Sequence, residues 1–371
     1  MNLDWNALPR PIVALSPMAD MTDSAFCRTV RAISGRNVID AGPPLSAGGG
    51  SALGGSPTLS IRRGKTETSL PSPSQGEGRK GSPASPARQL VVFREMVSAE
   101  AVVRGNEKTL GMTDLHPDER PLVQQLFGSD PDVMAEAAAN IEAEHRPEGF
   151  DINMGCPVYK IVHNFNGAAL MKEPTLATRI IQKMKAAISV PLSVKIRAGW
   201  SDPKECLEFC KVVEAAGADL ITIHGRTKCQ GYSDKSDWSV IKQVKERVSI
   251  PVLANGDIHT APLVPLALQT TACDGVLIAR GALGNPWFFA QAEAVLTGSP
   301  LPPVSWEERK RVIRLHAKLH LEQYGERGMV TFRKHLTWYV KGQPGASSVR
   351  QRLHAVSTMR DLEDALEEIS K

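Results

Sequence analysis

A short apolar strand, a loop and a helix recur as a unit eight times in the first three hundred residues of this chain. Such alternation predicts an α/β protein with a parallel sheet, either a closed (β/α)8 TIM barrel or a doubly wound open sheet. The predicted strands are residues 12–16, 90–93, 122–127, 150–154, 192–197, 219–224, 251–255 and 275–279. The predicted helices are one starting at residue 22 or 23, then 98–106, 131–145, 174–188, 203–216, 237–247, 260–269 and 285–296.

Polar or conformationally special residues follow the carboxyl ends of most of these strands. They are Pro17, Gln125, Cys156, Lys195, His224, Asn255 and Arg280. A barrel gathers such strand ends around one mouth, whereas an open sheet spreads them along a line. We therefore predict the (β/α)8 TIM barrel, with its active site at this mouth.

The barrel is predicted to occupy residues 1–300, and a small helical domain to occupy residues 301–371. Its predicted helices are 306–324, 330–340, 347–357 and 361–369. Residues 41–89 are dense in Gly, Pro and Ser and poor in apolar side chains, which is typical of disorder. Because this insert separates the first helix from the second strand, we expect it to project from the face opposite the mouth.

Composition narrows the class of protein. The chain has 371 residues and six cysteines, none in a Cys-x-x-Cys pair, so no zinc site or disulfide framework is predicted. No apolar run is long enough to span a bilayer, and the first ten residues lack the layout of a secretory signal. We expect a cytoplasmic protein, acting as a monomer without a metal.

Positive charge is concentrated in the helical region. Residues 306–352 contain eleven Lys or Arg and four Glu, a net charge of +7 against +4 for the whole chain. Aromatic and imidazole side chains are interleaved with these cations: Trp306, His316, His320, His335, Trp338 and Tyr339. The pattern suits a polyanion that carries stackable bases, and the alternative is a solvated helix face with a few core aromatic residues.

A phosphate site is predicted at the mouth. Asn255, Gly256 and Asp257 follow the seventh strand, and Ala279 and Arg280 end the eighth, where barrels commonly hold phosphate through backbone N–H groups. The alternative is that Asn-Gly-Asp is only a tight turn.

Three further side chains at the mouth suit a flavin with one phosphate, which is FMN. Lys195 can place a cation near N1 and O2 of the ring, His224 ends the next strand, and Gln125 can hydrogen-bond the ring edge. Alternatively, Lys195 only extends its amine to the surface and His224 is structural. Cys156, in Gly-Cys-Pro at the end of the fourth strand, is either a packed thiol or a reactive group.

Several segments in this order resemble the tRNA-dihydrouridine synthase family, most closely its bacterial B-type branch. The matching segments are 16–19, 151–157 with Lys160, 167–171, 194–200, 224–227, 230–232, 237–238, 255–258 and 280–282. The resemblance covers residues 10–40 and 90–345.

The resemblance implies an FMN-dependent enzyme that reduces the C5–C6 bond of a tRNA uridine, with NADPH or NADH as the source of electrons. Its implied cofactor contacts are Pro17, Met18 and Ala19 through the backbone, Gln125, Lys195 and His224 at the ring, and Asn255, Gly256, Asp257, Ala279 and Arg280 at the phosphate. Cys156 is implied to donate a proton to C5 as a neutral thiol. The substrate uridine has to leave its stack, which agrees with a basic helical domain beside the mouth.

The chain departs from the family pattern in three places. Residues 162–166 (Val-His-Asn-Phe-Asn) stand where glycines are usual, Ala279 stands where glycine is common, and the insert at 41–89 has no counterpart. Two other functions remain open from the sequence. One is an FMN barrel that reduces a small pyrimidine, as dihydroorotate dehydrogenases do, and the other is a tRNA-binding relative without activity.

Overall fold

A computed structural model describes residues 3–35, 89–301, 303–343 and 346–369 of the protein. Eight parallel strands pair in sequence order, and the eighth returns to the first, which closes the barrel. The predicted (β/α)8 TIM barrel is therefore confirmed. The strands are β1 (Ile12–Leu15), β2 (Val92–Ser98), β3 (Leu122–Phe127), β4 (Gly149–Met154), β5 (Leu192–Gly199), β6 (Leu220–Thr227), β7 (Val252–Asn255) and β8 (Gly275–Ile278).

Apolar side chains fill the amino-terminal end of the barrel. Ile12, Phe93 and Val123 belong to a buried cluster that also contains Leu3 and Trp5 from the segment before β1. The rings of Trp5 and Phe93 stack with their centroids 5.9 Å apart. The barrel is thus packed shut at this end, and polar side chains are accommodated at the other.

Helices surround the barrel and bury its outer face in a second, larger core. They are α1 (Ser24–Ser34), α2 (Ala99–Val103), α3 (Glu107–Gly111), α4 (Pro131–His145), α5 (Tyr159–Val162), α6 (Pro174–Ala187), α7 (Cys206–Ala215), α8 (Trp238–Lys245), α9 (Leu263–Thr271) and α10 (Phe288–Thr297). Several begin at side chains that cap the free N–H groups of the first turn. Asp23 caps α1 by accepting from the N–H of Phe26, and Asp237 caps α8 in the same way.

Four more helices follow the barrel and share a core of their own. They are α11 (Trp306–Tyr324), α12 (Gly328–Tyr339), α13 (Ala346–Ala355) and α14 (Met359–Ile369). α11 packs along α1, where the amide of Gln323 accepts from the N–H of Ala25 and Arg28 pairs with Glu322 at 3.3 Å. The predicted run of C-terminal helices is thereby confirmed.

Local boundaries differ from prediction in the second repeat. The predicted helix 98–106 is two short helices, α2 and α3, and β2 extends past Phe93 through Arg94 and Glu95. Both charged side chains are buried, and Arg94 lies 3.6 Å from the buried Glu119. Buried charges with specific partners give no apolar signal, so the end of this strand was missed.

The predicted insert at 41–89 falls almost entirely outside the described residues. Among the residues that the structure describes, no helix combines the length and the apolar character needed to cross a bilayer.

Candidate active site

The predicted mouth residues occupy neighbouring positions at the carboxyl ends of the strands. In the barrel register, Asn153 on β4 lies opposite Lys195 on β5, and His224 on β6 lies opposite Asn255 on β7. Cys156 follows β4 directly and is half-buried. The sequence positions that were singled out separately therefore come together at one end of the barrel.

The backbone around Cys156 is held from two sides. The side chain of Asn153 accepts from the N–H of Cys156 at 2.9 Å and from that of Gly155 at 3.1 Å. The guanidinium of the buried Arg197 donates to the carbonyl of Gly155 at 2.7 Å and to that of Gly231 at 2.9 Å. Burial raises the pKa of the Cys156 thiol above its ordinary value of 9.0, although Arg197 and Lys195 oppose the shift. The group is consequently a neutral thiol at neutral pH.

A glycine packs directly against this thiol-bearing residue. Gly167 has φ of +60°, and a Cβ there would lie 2.9 Å from the carbonyl oxygen of Cys156 and 3.0 Å from its Cβ. Only a residue without a side chain fits both the backbone conformation and the space. The N–H of the next residue, Ala168, donates to the Cys156 carbonyl at 3.1 Å.

A chain of buried hydrogen bonds connects three strands beneath Cys156. The carboxylate of Asp151 accepts from Ser193 and from Gln125, both at 2.6 Å. The Gln125 carbonyl accepts from Asn153 at 2.9 Å. The amide of Gln125 is thus engaged by its neighbours, and one of its two N–H donors remains for another partner.

Lys195 and Asp151 perturb each other within the barrel. Burial lowers the pKa of Lys195, and the nearby Arg197 lowers it further while Asp151 opposes the shift. Burial raises the pKa of Asp151, against the effects of its hydrogen bonds and of Lys195. Among the described residues the ammonium of Lys195 has no hydrogen-bond partner, so its donors are available at the mouth.

His224 is surrounded by cations and is neutral. Burial, then Lys195 and Arg197, hold its pKa well below the ordinary value. The guanidinium of Arg226 lies 3.3 Å from Nε2 of His224. Because a guanidinium can only donate, Nε2 accepts and the ring proton is assigned to Nδ1.

Asp257 organises two arginines at the ends of β6 and β8. Its carboxylate accepts from Arg226 at 2.8 Å and from the N–H of Ser236 at 2.8 Å, and Arg280 lies 3.3 Å away. These hydrogen bonds overcome the effect of burial and hold the pKa of Asp257 below its ordinary value. The Asp257 carboxylate therefore positions the guanidinium of Arg280, whose side chain remains 37% exposed.

Of the other residues predicted at the phosphate, Asn255 uses its side chain within the barrel, and Gly256 and Asp257 offer backbone N–H groups. The amide of Asn255 donates to the carbonyl of Leu277 at 2.6 Å, which joins β7 to β8. Gly256 has φ of +114°, and a Cβ there would lie 2.3 Å from Oγ of Ser236 and 2.7 Å from the His224 ring. The N–H groups of Gly256 and Asp257 have no hydrogen-bond partner in the described part of the chain. Ala279 stands just before the 3-10 turn Arg280–Ala282.

The loop after β1 is held in shape by its own hydrogen bonds. The N–H of Met18 donates to Oγ1 of Thr22 at 2.8 Å, and the Met18 carbonyl accepts from the N–H of Thr22 at 3.0 Å. The buried Glu95 accepts from the N–H of Asp20 at 2.6 Å. Burial, reinforced by the charge of Asp23, raises the pKa of Glu95 to about 7. Pro17 and Met18 are half-buried in this loop, and Ala19 is exposed.

Aromatic side chains are exposed around Cys156. Tyr159, the first residue of α5, is 73% exposed, and Phe165, within the unusual residues 162–166, is 56% exposed. Phe165 has φ of +55°, a backbone conformation that favours glycine. Tyr232, 62% exposed, has the guanidinium groups of Arg197 and Arg280 near its ring at 5.5 and 5.4 Å.

The charge of the helical region is smaller than the sequence count indicated. α14 supplies carboxylates that pair with α11: Arg314 lies 2.6 Å from Glu363, and Lys310 lies 3.2 Å from Glu367. Counting residues 306–369 lowers the net charge from +7 to +3. Lys318, Arg327, Lys334 and Lys341 make no ion pair within the described ranges.

The interpretation of the interleaved rings as stacking surfaces is wrong for most of them. His316, His320, His335 and Tyr339 are at most 2% exposed. They are core residues of the helical region, as the alternative interpretation held. An open cleft of about 790 Å³ does lie where the helices meet the barrel, with Arg280, Trp338 and Lys341 among its lining residues.

Sequence reasoning gave no role to the residues that connect the site. Arg197 and Arg226 are buried and tie neighbouring loops together, and Asp151 and Asn153 link three strands. A charged or amide residue inside an otherwise apolar strand was the sequence signal for these linking residues. A polar group that is buried in this way requires hydrogen-bond partners.

Comparison with known proteins agrees with this architecture. The family model described as "Dihydrouridine synthase (Dus)" matches residues 13–371. The chain is 37% identical over 285 residues to a probable tRNA-dihydrouridine synthase 1 of Synechocystis, covering 76% of this chain and 79% of the relative. It is also 37% identical over 280 residues to tRNA-dihydrouridine synthase B of Pasteurella multocida, covering 75% and 84%.

A similar solved structure shows the fold alone. A 2-naphthoyl-CoA reductase complex superposes with a TM-score of 0.51 at 10% identity, covering 79% of this chain and 51% of that chain. The family match and the two relatives are far more specific than this likeness. The chain belongs to the dihydrouridine synthase family.

Proposed function

We propose that this protein is an FMN-dependent tRNA-dihydrouridine synthase that reduces the C5–C6 bond of a tRNA uridine, with NADPH or NADH as the source of electrons. The observation that carries the proposal is a half-buried neutral thiol, Cys156, held by Asn153 and Arg197 beside the unpartnered ammonium of Lys195. Family membership and the names of the two relatives support the same activity. A tRNA substrate agrees with the cytoplasmic location expected from the sequence.

The mouth has the donor set that FMN requires. The N–H groups of Gly256 and Asp257 and the guanidinium of Arg280 would bind the phosphate, in the part of the barrel where phosphate is commonly bound. Lys195 and the free N–H of Gln125 would contact the ring, and His224 would flank it as a neutral imidazole. Pro17, Met18 and Ala19 would line it through their ordered loop. The small side chain of Ala279 and the amide of Asn255 complete the pocket wall.

The carboxylate of Asp257 does not bind the phosphate in this proposal. It is already an acceptor for Arg226 and faces Arg280. Its role is to hold the two guanidinium groups in place, because a carboxylate in direct contact with phosphate would repel it.

Cys156 acts as an acid. When bound and reduced, FMN supplies a hydride to C6 of the uracil ring. Cys156 keeps its proton at neutral pH because burial raises the pKa of the thiol, and it delivers that proton to C5. The charges of Arg197 and Lys195 stabilise the resulting thiolate, and the raised pKa favours its reprotonation by solvent between turnovers.

The tRNA is proposed to bind across the junction of the barrel and the helices of residues 301–371. The cleft between them is lined by Arg280 and Lys341, which can contact phosphate groups. The exposed rings of Tyr159, Phe165 and Tyr232 surround the mouth, where a base that leaves its stack needs an aromatic surface.

The test uses tRNA that lacks dihydrouridine, together with NADPH. Wild-type protein should be yellow as purified, oxidise more than one equivalent of NADPH per bound flavin without oxygen only when tRNA is present, and form dihydrouridine. Cys156→Ala should keep the flavin and lose most of the dihydrouridine formation. Oxidation of NADPH with a free pyrimidine in place of tRNA would favour the small-molecule alternative, and a colourless wild-type protein would contradict the proposal.

A further inference from the structure

Four potential metal ligands meet where the barrel contacts the C-terminal helices. Asp23 is the N-cap of α1, His316 and His320 lie one turn apart on α11, and His335 comes from α12. One ligand atom from each residue lies within 4.8 Å of all the others. None of the four side chains is more than 2% exposed.

Each imidazole of this cluster has one buried nitrogen without a hydrogen-bond partner among the described residues. They are Nε2 of His316, Nδ1 of His320 and Nε2 of His335. Nδ1 of His320 lies 3.4 Å from Oδ2 of Asp23 without the geometry of a hydrogen bond. Buried polar atoms in proteins are nearly always satisfied, so three orphaned nitrogens, on side chains that also bring ligand atoms within 4.8 Å of one another, need an explanation.

The outer atoms of the same side chains are held as those of metal ligands usually are. Nδ1 of His316 pairs with the hydroxyl of Tyr339 at 3.0 Å, and Nε2 of His320 pairs with Oγ1 of Thr331 at 2.8 Å. Oδ1 of Asp23 accepts from the N–H of Phe26 at 2.9 Å, and Oδ2, which lies 3.4 Å from Nδ1 of His320, also accepts from the hydroxyl of Tyr324 at 3.3 Å. Such outer partners fix the orientation of a ligand ring and direct its other nitrogen inward.

Aromatic rings enclose the cluster. The rings of Phe26 and His316 lie 5.5 Å apart, and those of Phe332 and His316 lie 4.9 Å apart. The four side chains therefore meet in a largely apolar surrounding, where buried polar groups need partners.

We propose that Asp23, His316, His320 and His335 bind one divalent transition-metal ion, with Zn²⁺ as the best match. Three imidazoles and one carboxylate complete a tetrahedral, closed set of ligands without a free position, which is typical of a structural site. Tetrahedral bonds of about 2.1 Å place ligand atoms about 3.4 Å apart. Side-chain rotations that shorten the widest of the separations, at most 4.8 Å, by up to about 1.4 Å would close the site around the ion.

The ion would join α1 of the barrel to α11 and α12. Asp23 directly follows the loop after β1 and lies near Glu95, so the same ligand belongs to the mouth of the barrel. A metal here would fix the orientation of the C-terminal helices relative to the loop that carries Pro17 to Ala19. This inference concerns a second site and does not depend on the proposed reaction.

The test measures metal in tag-free protein. Inductively coupled plasma mass spectrometry should find one Zn²⁺ per chain in wild type and a loss of nearly all of it in His335→Gln and Asp23→Asn. His354→Gln is the matched control, because His354 is an exposed histidine on the neighbouring helix α13. The control should keep the full metal content.

Reconstitution makes the result independent of how the protein was purified. Protein unfolded with a chelator and refolded with Co²⁺ should show the intense visible bands of tetrahedral Co²⁺, and refolding with Zn²⁺ should raise the melting temperature of wild type but not that of His335→Gln. Wild type that binds neither ion on refolding would overturn the proposal, since the cluster would then be a hydrogen-bonded network centred on His320 and Asp23. Equal metal content in His335→Gln and wild type would overturn it as well.

Discussion

Replacing Gly167 by alanine should uncouple the placement of Cys156 from the rest of the site. The new Cβ would lie 2.9 Å from the Cys156 carbonyl oxygen and 3.0 Å from its Cβ, whereas ordinary contacts begin at 3.4 Å. Cys156 or the 3-10 turn Gly167–Lys172 must therefore move by about half an ångström. The three atoms nearest to the new Cβ belong to Cys156 and Ile161, so none of the residues proposed to contact the flavin is among them.

The substitution is expected to lower both the stability of the protein and the rate of dihydrouridine formation. Alanine in the left-handed region costs about 1–2 kcal/mol of stability. Displacing a catalytic group by about 1 Å can cost about a hundredfold in rate, so half that displacement predicts a loss of about tenfold in dihydrouridine formation. Bound flavin and the affinity for tRNA should stay near wild type, because neither is proposed to involve Gly167.

Gly298→Ala is the matched control for this substitution. Gly298 also has a left-handed φ, +70°, but nothing lies within 4 Å of the position of its Cβ. Urea unfolding should show a similar loss of stability in both variants, and single-turnover reduction of tRNA should be slowed only in Gly167→Ala. A wild-type rate in Gly167→Ala, or an equal loss in Gly298→Ala, would refute the reasoning.

Three further predictions concern the thiol, the aromatic loop and the cation of the site. Iodoacetamide should modify Cys156 slowly at pH 7 and quickly only above about pH 9, because the pKa of the thiol is raised and the reactive thiolate forms only at high pH. Peptide mass spectrometry distinguishes Cys156 from the exposed Cys229. Rapid modification of Cys156 at pH 6 would contradict the assignment. Phe165→Gly should raise the KM for tRNA several-fold, because the exposed ring is lost. The urea midpoint should not fall, because glycine adopts a φ of +55° without strain. A wild-type KM would show that the ring does not contact tRNA. Lys195→Met should make the flavin reduction potential more negative by roughly 30–90 mV in spectroelectrochemistry. A charge at about 4 Å contributes up to about 4 kcal/mol, and 30 mV corresponds to about 1.4 kcal/mol. An unchanged potential would place Lys195 away from the ring.

The fold was largely predictable because its signal is repetitive. Eight apolar strands followed by eight helical segments left few alternatives, and the polar residues after the strands favoured closure over an open sheet. The errors in the predicted strand and helix boundaries lie where charged side chains are buried, because such residues give no apolar signal in the sequence. β2 continues through the buried Arg94 and Glu95, and the segment that follows it breaks into α2 and α3.

The candidate site was predictable in position but not in its connections. A residue such as Lys195 or His224 can be recognised in the sequence because it stands at the end of an apolar strand. The hydrogen bonds of Arg197 to the carbonyls of Gly155 and Gly231 cannot be inferred from spacing, because Arg197 lies on β5 and the two glycines lie in different loops. For the same reason, the hydrogen bond between the carboxylate of Asp257 and Arg226 could not be read from the sequence, whereas the role of Asp257 at the phosphate stays a prediction.

The C-terminal helices illustrate a more general difficulty. Charge was counted in the sequence up to Arg352, but the carboxylates that neutralise α11 lie beyond it on α14. The histidines predicted to stack on bases are instead the buried link between α11, α12 and Asp23 of the barrel. We therefore propose that tRNA is recognised by cations without ion pairs among the described residues, such as Lys334 and Lys341, and by the exposed rings at the barrel mouth. The helices would accordingly orient the tRNA, while loops of the barrel contact the base that is reduced.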